Sequence, residues 1–174
     1  PGVIDFQYVA AKDSRYFIGR LDRQTAYLTL RVGVYLTPEI SIQYYGNPYF
    51  SSGKYSHFKK ITDPQAETYS NRFYQYGSNE VSYDELSNQI TVTDANDGAS
   101  HSFGNPDFRF REFHSNLVFR WEFRPSSNLY LVWAHGRSDY ENVTGYNLRN
   151  TASGLFSIYP DNIFLIKFSY WFSL

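Results

Sequence analysis

The residues whose types and spacing bear on chemistry are few and scattered. Asp94, Asn96 and Asp97 precede Gly98 in the run D-A-N-D-G, which has the oxygen-ligand spacing of a partial calcium loop. The complete pattern ends on a bidentate glutamate that this run lacks, so an Asp/Asn/Gly turn is the preferred reading and a calcium site the weak one. The four histidines, His57, His101, His114 and His135, show no metal-ligand spacing. His114 and Ser115 are adjacent in an extended run and face opposite ways, which keeps them from acting together as base and nucleophile. The sequence therefore reads as a non-enzyme with no cofactor.

The charges with the clearest placement are Arg31, Arg120, Glu122 and Lys167, because each interrupts a run with period-two alternation. Leu28, Leu30, Val32, Val34 and Leu36 fall on one face of their run, and Tyr27, Thr29, Arg31, Gly33 and Tyr35 on the other. Within 108 to 124, Leu117, Phe119, Trp121 and Phe123 oppose His114, Asn116, Arg120 and Glu122. Such strands, apolar on one face and charged on the other, suit a transmembrane β-barrel with a polar lumen. Lys167 belongs to that inner face, with Glu122 as its expected partner. Arg109 and Arg111 alternate onto the opposite face near the loop side, where outer-leaflet lipid phosphates would lie.

The run 162 to 174, N-I-F-L-I-K-F-S-Y-W-F-S-L, organises the rest. Counted back from the end, Leu174, Phe172, Tyr170, Phe168, Ile166 and Phe164 share one face, and Ser173, Trp171, Ser169 and Lys167 the other. Phe168, Tyr170, Phe172 and Leu174 resemble the C-terminal signal that barrel-assembly machinery reads in a closing strand, with Leu174 in the place of the usual Phe.

Two short connections, at Thr37-Pro38-Glu39 and Arg124-Pro125-Ser126-Ser127-Asn128, contrast with two long excursions over roughly 51 to 107 and 139 to 161. That asymmetry is the outer-membrane pattern, with short turns and the C-terminus in the periplasm and the long loops outside. Residues 40 to 45 and 129 to 138 supply further strands, the second apolar on both faces, so its inward side is open. Residues 3 to 10 and 15 to 21 read as a hairpin about 11 to 14. In the long excursion Asp63-Pro64 predicts a short helix over about 64 to 74, and 80 to 84 with 89 to 93 a hairpin, together an ordered cap over the barrel mouth.

The composition is compatible with this. Aromatics make up 20% of the 174 residues, 17 Tyr, 15 Phe and 3 Trp, and Tyr and Trp form girdles at lipid boundaries. No apolar run is long enough for a membrane helix. A net charge of −1 without a basic patch gives no reason to expect nucleic acid, and the absence of Cys rules out disulfides and thiolate metal sites. Five strands, or six with the N-terminal one, fall short of the roughly eight of the smallest closed membrane barrels. The chain is therefore expected to be the C-terminal part of a larger barrel, closed by preceding strands or by another chain.

The runs S-S-G-K-Y-S-H-F-K-K-I-T-D-P (51 to 64), S-F-G-N-P-D-F-R-F-R-E-F-H-S-N-L-V-F-R-W-E-F-R-P (102 to 125) and N-I-F-L-I-K-F-S-Y-W-F (162 to 172) resemble the C-terminal part of an uncharacterised, domain-of-unknown-function family of Bacteroidetes outer-membrane barrel proteins. Members of that family often begin with a carbohydrate-binding family 9-like domain. The resemblance implies an outer-membrane location, contact with lipid and with barrel-assembly machinery, and an N-terminal region outside this chain. It implies no catalytic residues. Solute passage or surface docking is the expected function, with anchoring of a surface glycan-binding or secretion-associated complex as the alternative.

Overall fold

A computed structural model of the chain describes residues 5–143 and 148–172. It is all-β and antiparallel. The strands are β1 (Asp5–Lys12), β2 (Arg15–Tyr27), β3 (Leu30–Tyr35), β4 (Ile40–Ile61), β5 (Phe73–Gln75), β6 (Val81–Asp84), β7 (Gln89–Thr93), β8 (Ser100–Gly104), β9 (Phe108–Arg124), β10 (Ser127–Glu141) and β11 (Asp161–Ser169), with one helix, α1 (Leu148–Leu155). The main sheet has the order β1-β2-β4-β9-β10-β11, with β3 and β5 also laid along β4. Consecutive long strands are thus neighbours, as in an up-and-down meander. The sheet is open: β1 and β11 each have a partner on one side among the described residues.

The chain divides into two compact units. The first comprises residues 1–24, 52–109 and 141–146. Its β1-β2 hairpin turns on Asp13 and Ser14, whose φ values of 51° and 59° match the twist of the flanking strands. A register shift between Tyr8 and Ala10 marks a bulge in β1. The unit also holds a three-stranded sheet, β6-β7-β8. The expected hairpin is its β6-β7 pair, running from Val81↔Val92 to Asp84↔Gln89, and β8 is the strand the alternation did not mark. Phe17, Phe58, Tyr76, Ile90, Val92 and Phe103 form the core of this unit.

Two expectations change here. β4 runs on to Ile61, so the excursion begins about ten residues later than position 51. In place of a helix over 64 to 74 there is an Asx turn, with Asp63 Oδ1 accepting the Gln65 N–H at 3.1 Å, then a single 3₁₀ turn at Tyr69–Arg72, then β5. The Pro signal started a turn but no apolar stripe followed to bury a helix. Phe73 and Tyr74 instead pair with Ile61 and Lys60 as strand residues.

The second unit comprises residues 25–51, 110–140 and 147–174. The predicted run from Thr25 to Leu36 is two strands, broken at Leu28 and Thr29. Facing the break is Pro48, which has no N–H to give the ladder. Its carbonyl still accepts the Leu28 N–H at 3.1 Å, while the Asn47 side chain donates to the Leu28 carbonyl at 3.1 Å and the Thr29 hydroxyl at 2.8 Å. Both short turns are tied by side chains. Thr37 Oγ1 accepts the N–H groups of Glu39 and Ile40, and Glu122 Oε1 accepts that of Ser126, which sits at φ 61°.

The β11 ladder ends at Ser169, opposite Asn128 at the start of β10. Beyond that pair β10 has turned away, and the Trp171 N–H is taken by the buried Ser127 hydroxyl at 3.0 Å. The regular strand among the described residues therefore ends at Ser169, short of the alternation read over 162 to 174. Leu174 lies outside the described residues.

Candidate functional site

Alternation and register divide the strands of the second unit into two faces. β10 pairs with β11 as Leu129↔Phe168, Leu131↔Ile166, Trp133↔Phe164 and His135↔Asn162, which fixes the side of β10 that the sequence left open. Phe123 of β9 stacks on Phe168 with ring centroids 5.4 Å apart, so the apolar rows of β9, β10 and β11 share a face. The stack continues through Tyr170 and Phe172 at spacings of 6.4 Å. Leu117, Phe119, Leu131, Trp133, Phe164 and Ile166 line an open apolar groove of about 350 Å³ on this face. Phe164 is 71% exposed and Ile166 75% exposed. On β3 and β4 the pairs Val32↔Tyr44 and Val34↔Ile42 bring the apolar positions of both strands together.

The apolar face ends sharply. Trp133 Nε1 donates to Asn162 Oδ1 at 2.9 Å, and His135 Nδ1 lies 3.1 Å from the same oxygen. Beyond them, still on the same side of β10, Arg137 donates to the Phe156 carbonyl at 2.7 Å and its guanidinium rests on the Phe156 ring. Arg111 pairs with Asp139 at 2.5 Å. In the first unit Arg109 pairs with Glu141 at 3.2 Å. Arg109 and Arg111, expected to meet lipid phosphates, are thus engaged by acids of β10. Acids on the neighbouring strand are already held in place by the fold, so pairing with them immobilises no free ligand.

The other face holds the remaining charges. Arg120 Nη2 lies 2.5 Å from Glu122 Oε2, two residues along the same strand. Both oxygens of Glu122 are therefore occupied, one by Arg120 and one by the Ser126 N–H. Lys167, expected beside Glu122, instead holds its ammonium 5.7 Å from the ring centroid of Tyr130, its direct cross-strand neighbour. Arg31 holds its guanidinium carbon 5.5 Å from the ring centroid of Tyr45, again a cross-strand pair.

The D-A-N-D-G run sits in the first unit as the β7-β8 turn, closed by Gly98 N–H to Asp94 C=O at 2.8 Å with Gly98 at φ 69°. Where a calcium ion would need oxygen ligands, Asp94 Oδ2 instead binds the Lys60 ammonium at 2.5 Å, both side chains buried. Asp94 Oδ1 accepts the Asn96 N–H, and Asp97 Oδ1 the Ala99 N–H. A lysine therefore supplies positive charge at the carboxylate a calcium ion would need, which favours the turn reading. Among the described residues no three His, Cys, Asp or Glu side chains converge as a metal site. Burial pushes the Asp94 carboxyl up, but the Lys60 ammonium and the Asn96 N–H outweigh it and hold it below the usual range. Glu80 is likewise held low, by the Tyr74 hydroxyl at 2.5 Å and the N–H groups of Gly77 and Ala95. Burial, reinforced by Asp94, pushes Tyr76 up to about 12.

Sequence reasoning missed the Lys60-Asp94 pair because the partners lie 34 residues apart and Lys60 sits in an unremarkable K-K doublet. No curated protein and no solved structure matches the chain. The family model described as Domain of unknown function (DUF5916) matches residues 4–173, and the chain belongs to that family.

Proposed function

We propose that this chain is part of the wall of an outer-membrane β-barrel, closed by strands from outside the described residues, and that the barrel passes a polar solute. The observation that carries the reading is the two-sidedness of the second unit. One face is a continuous, exposed run of Leu, Ile, Phe and Trp side chains, bounded by Trp133, Asn162 and His135 and then by ion pairs. A water-soluble monomer rarely leaves so large an apolar surface uncovered, whereas lipid covers it at no cost. The other face carries Arg31, Arg120, Glu122 and Lys167, which a polar lumen would solvate. The resemblance to Bacteroidetes outer-membrane proteins points the same way, and with it contact with barrel-assembly machinery and a periplasmic C-terminus.

A second reading is favoured by the pairing on the inner face. Arg120 is tied to Glu122, and Lys167 lies over Tyr130. Paired charges and aromatics are what a closed lumen contains, and the barrel would then anchor a surface glycan-binding or secretion-associated assembly. Conductance of the complete protein in planar bilayers separates the two. Stable single-channel steps support passage; a sealed bilayer with protein incorporated supports the anchor; failure to partition into the membrane fraction removes both.

A further inference from the structure

The inner face of β3 has a side chain missing from it. Arg31, Gly33 and Tyr35 follow one another on that face, paired directly with Tyr45, Gln43 and Ser41 of β4. Arg31 and Tyr35 therefore stand on either side of a gap, and a Cβ placed on Gly33 would meet no atom within 4 Å. Asn116 and Val118 of β9 complete an open groove of about 390 Å³, within the size range of small-molecule sites.

Among the described residues, the side-chain donors around the gap have no side-chain hydrogen-bond partner. Arg31 lies over the Tyr45 ring, 5.5 Å from its centroid, and has no carboxylate partner among the described residues, unlike Arg109, Arg111 and Arg120. The Tyr45 ring face is no hydrogen-bond acceptor of the kind a carboxylate is, so the guanidinium N–H groups remain available for bidentate capture of a carboxylate. Gln43 and Asn116 present amides that both donate and accept, the capacity needed for hydroxyl groups. Tyr35, 74% exposed, offers a ring face at the other end of the gap.

We infer that this groove is a binding site for a hydroxylated carboxylate of sugar size, a uronic acid, with the sugar ring over Gly33, the carboxylate on Arg31 and hydroxyl groups on Gln43 and Asn116. The inference rests on the inner face being wet, and it names the solute class for the passage reading. A hydrophobic floor would not discriminate acid from neutral sugar; Arg31 does, because a neutral isostere leaves its donors unanswered.

The test is equilibrium binding of galacturonate and of galactose to the complete detergent-solubilised protein. Galacturonate should bind at least tenfold tighter than galactose. Arg31→Gln should remove that ratio while leaving galactose unchanged, and Arg31→Lys should recover part of it. Gly33→Leu should abolish both, and retained heat-modifiability shows that this variant still folds. Equal affinities, no binding of either sugar, or full galacturonate binding in Gly33→Leu overturns the site. Accessibility labelling at Leu30 and Phe119 in the same preparation reports separately on the barrel: water-side labelling with galacturonate binding intact sinks the membrane reading and leaves the groove standing.

Discussion

Lys60 Nζ and Asp94 Oδ2 meet at 2.5 Å with both side chains about 95% or more buried, tying the end of β4 to the β7-β8 turn. The pair is not a source of net stability in itself, since desolvating two ions offsets their attraction; its consequence is that neither tolerates loss of the other. Asp94→Ala should destabilise the first unit by about 3 to 5 kcal/mol. Replacing the pair together, Lys60→Met with Asp94→Leu, should cost much less. Hydrogen exchange at β7 and β8 reads both. A single variant within about 0.5 kcal/mol of wild type, the ordinary scatter of surface changes, would show that the buried charge finds another partner.

The same corner sets the pH response. Asp94 and Glu80 both have folded-state pKa values below their usual ones. Their contribution is therefore complete above the ordinary carboxylate values, 3.8 for Asp94 and 4.5 for Glu80, and is lost as pH falls below those values through the folded-state pKa. The first unit should stay ordered at pH 5 and loosen only in stronger acid. An acid transition centred above pH 5 in β7-β8 exchange would assign control to other groups.

Tyr76 gives the opposite sign. Its hydroxyl is buried without a hydrogen-bond partner among the described residues, and its pKa is raised from 10.0 to about 12. Stability from the neutral phenol is present in full below pH 10 and declines as pH rises from there to about 12. Tyr76→Phe removes an unsatisfied polar atom with little change of shape, so it should be neutral or stabilising near pH 7 and flatten the alkaline decline. Loss of more than about 1 kcal/mol at neutral pH would mean that the hydroxyl is satisfied in solution.

How much of this was legible in the chain follows from where the information sits. Alternation is local, so Leu30 to Val34, Leu117 to Phe123 and Phe164 to Phe168 announced their strands and faces. Val81 to Thr93 likewise announced a hairpin. Pairing is not local: the sidedness of Leu129 to Trp133 needed the register against β11, and Glu122 found Arg120 rather than Lys167 because a neighbour two residues away reaches it first. The turn chemistry misled at Asp63-Pro64, where the cap signal is real but the following residues pair with β4. The break at Leu28 was visible only from Pro48, on the partner strand. Gly33 read as one more small residue on a polar face until its position between Arg31 and Tyr35 was set against Gln43.

The two faces of the second unit predict opposite labelling. Single cysteines at Leu30, Val32, Phe119, Trp121 and Phe168 should react with apolar, membrane-partitioning probes, and those at Arg31, Arg120 and Lys167 with water-soluble thiol reagents. These 174 residues contain no cysteine, so any background labelling is measured on the complete protein without the introduced cysteine and subtracted. Water-soluble labelling at Phe119 or apolar labelling at Lys167 would invert the assignment of faces for β9 or β11.

The open edges make the last prediction. β11 has β10 on one side, and its other edge, like that of β1, has no strand to receive its backbone N–H and C=O groups among the described residues. In hydrocarbon each such group costs several kcal/mol, far more than the exposed apolar side chains of Phe164, Ile166 and Phe168 recover at one edge. The 174-residue chain by itself should therefore fail to form a heat-modifiable, SDS-resistant species in detergent, and should do so when strands that complete the ring are present. The decisive measurement is gel mobility with and without boiling, for this chain and for the complete protein. Resistance of the isolated chain at the mass of a monomer would require β1 and β11 to pair with each other; resistance at a multiple of that mass would mean that copies of the chain close the ring.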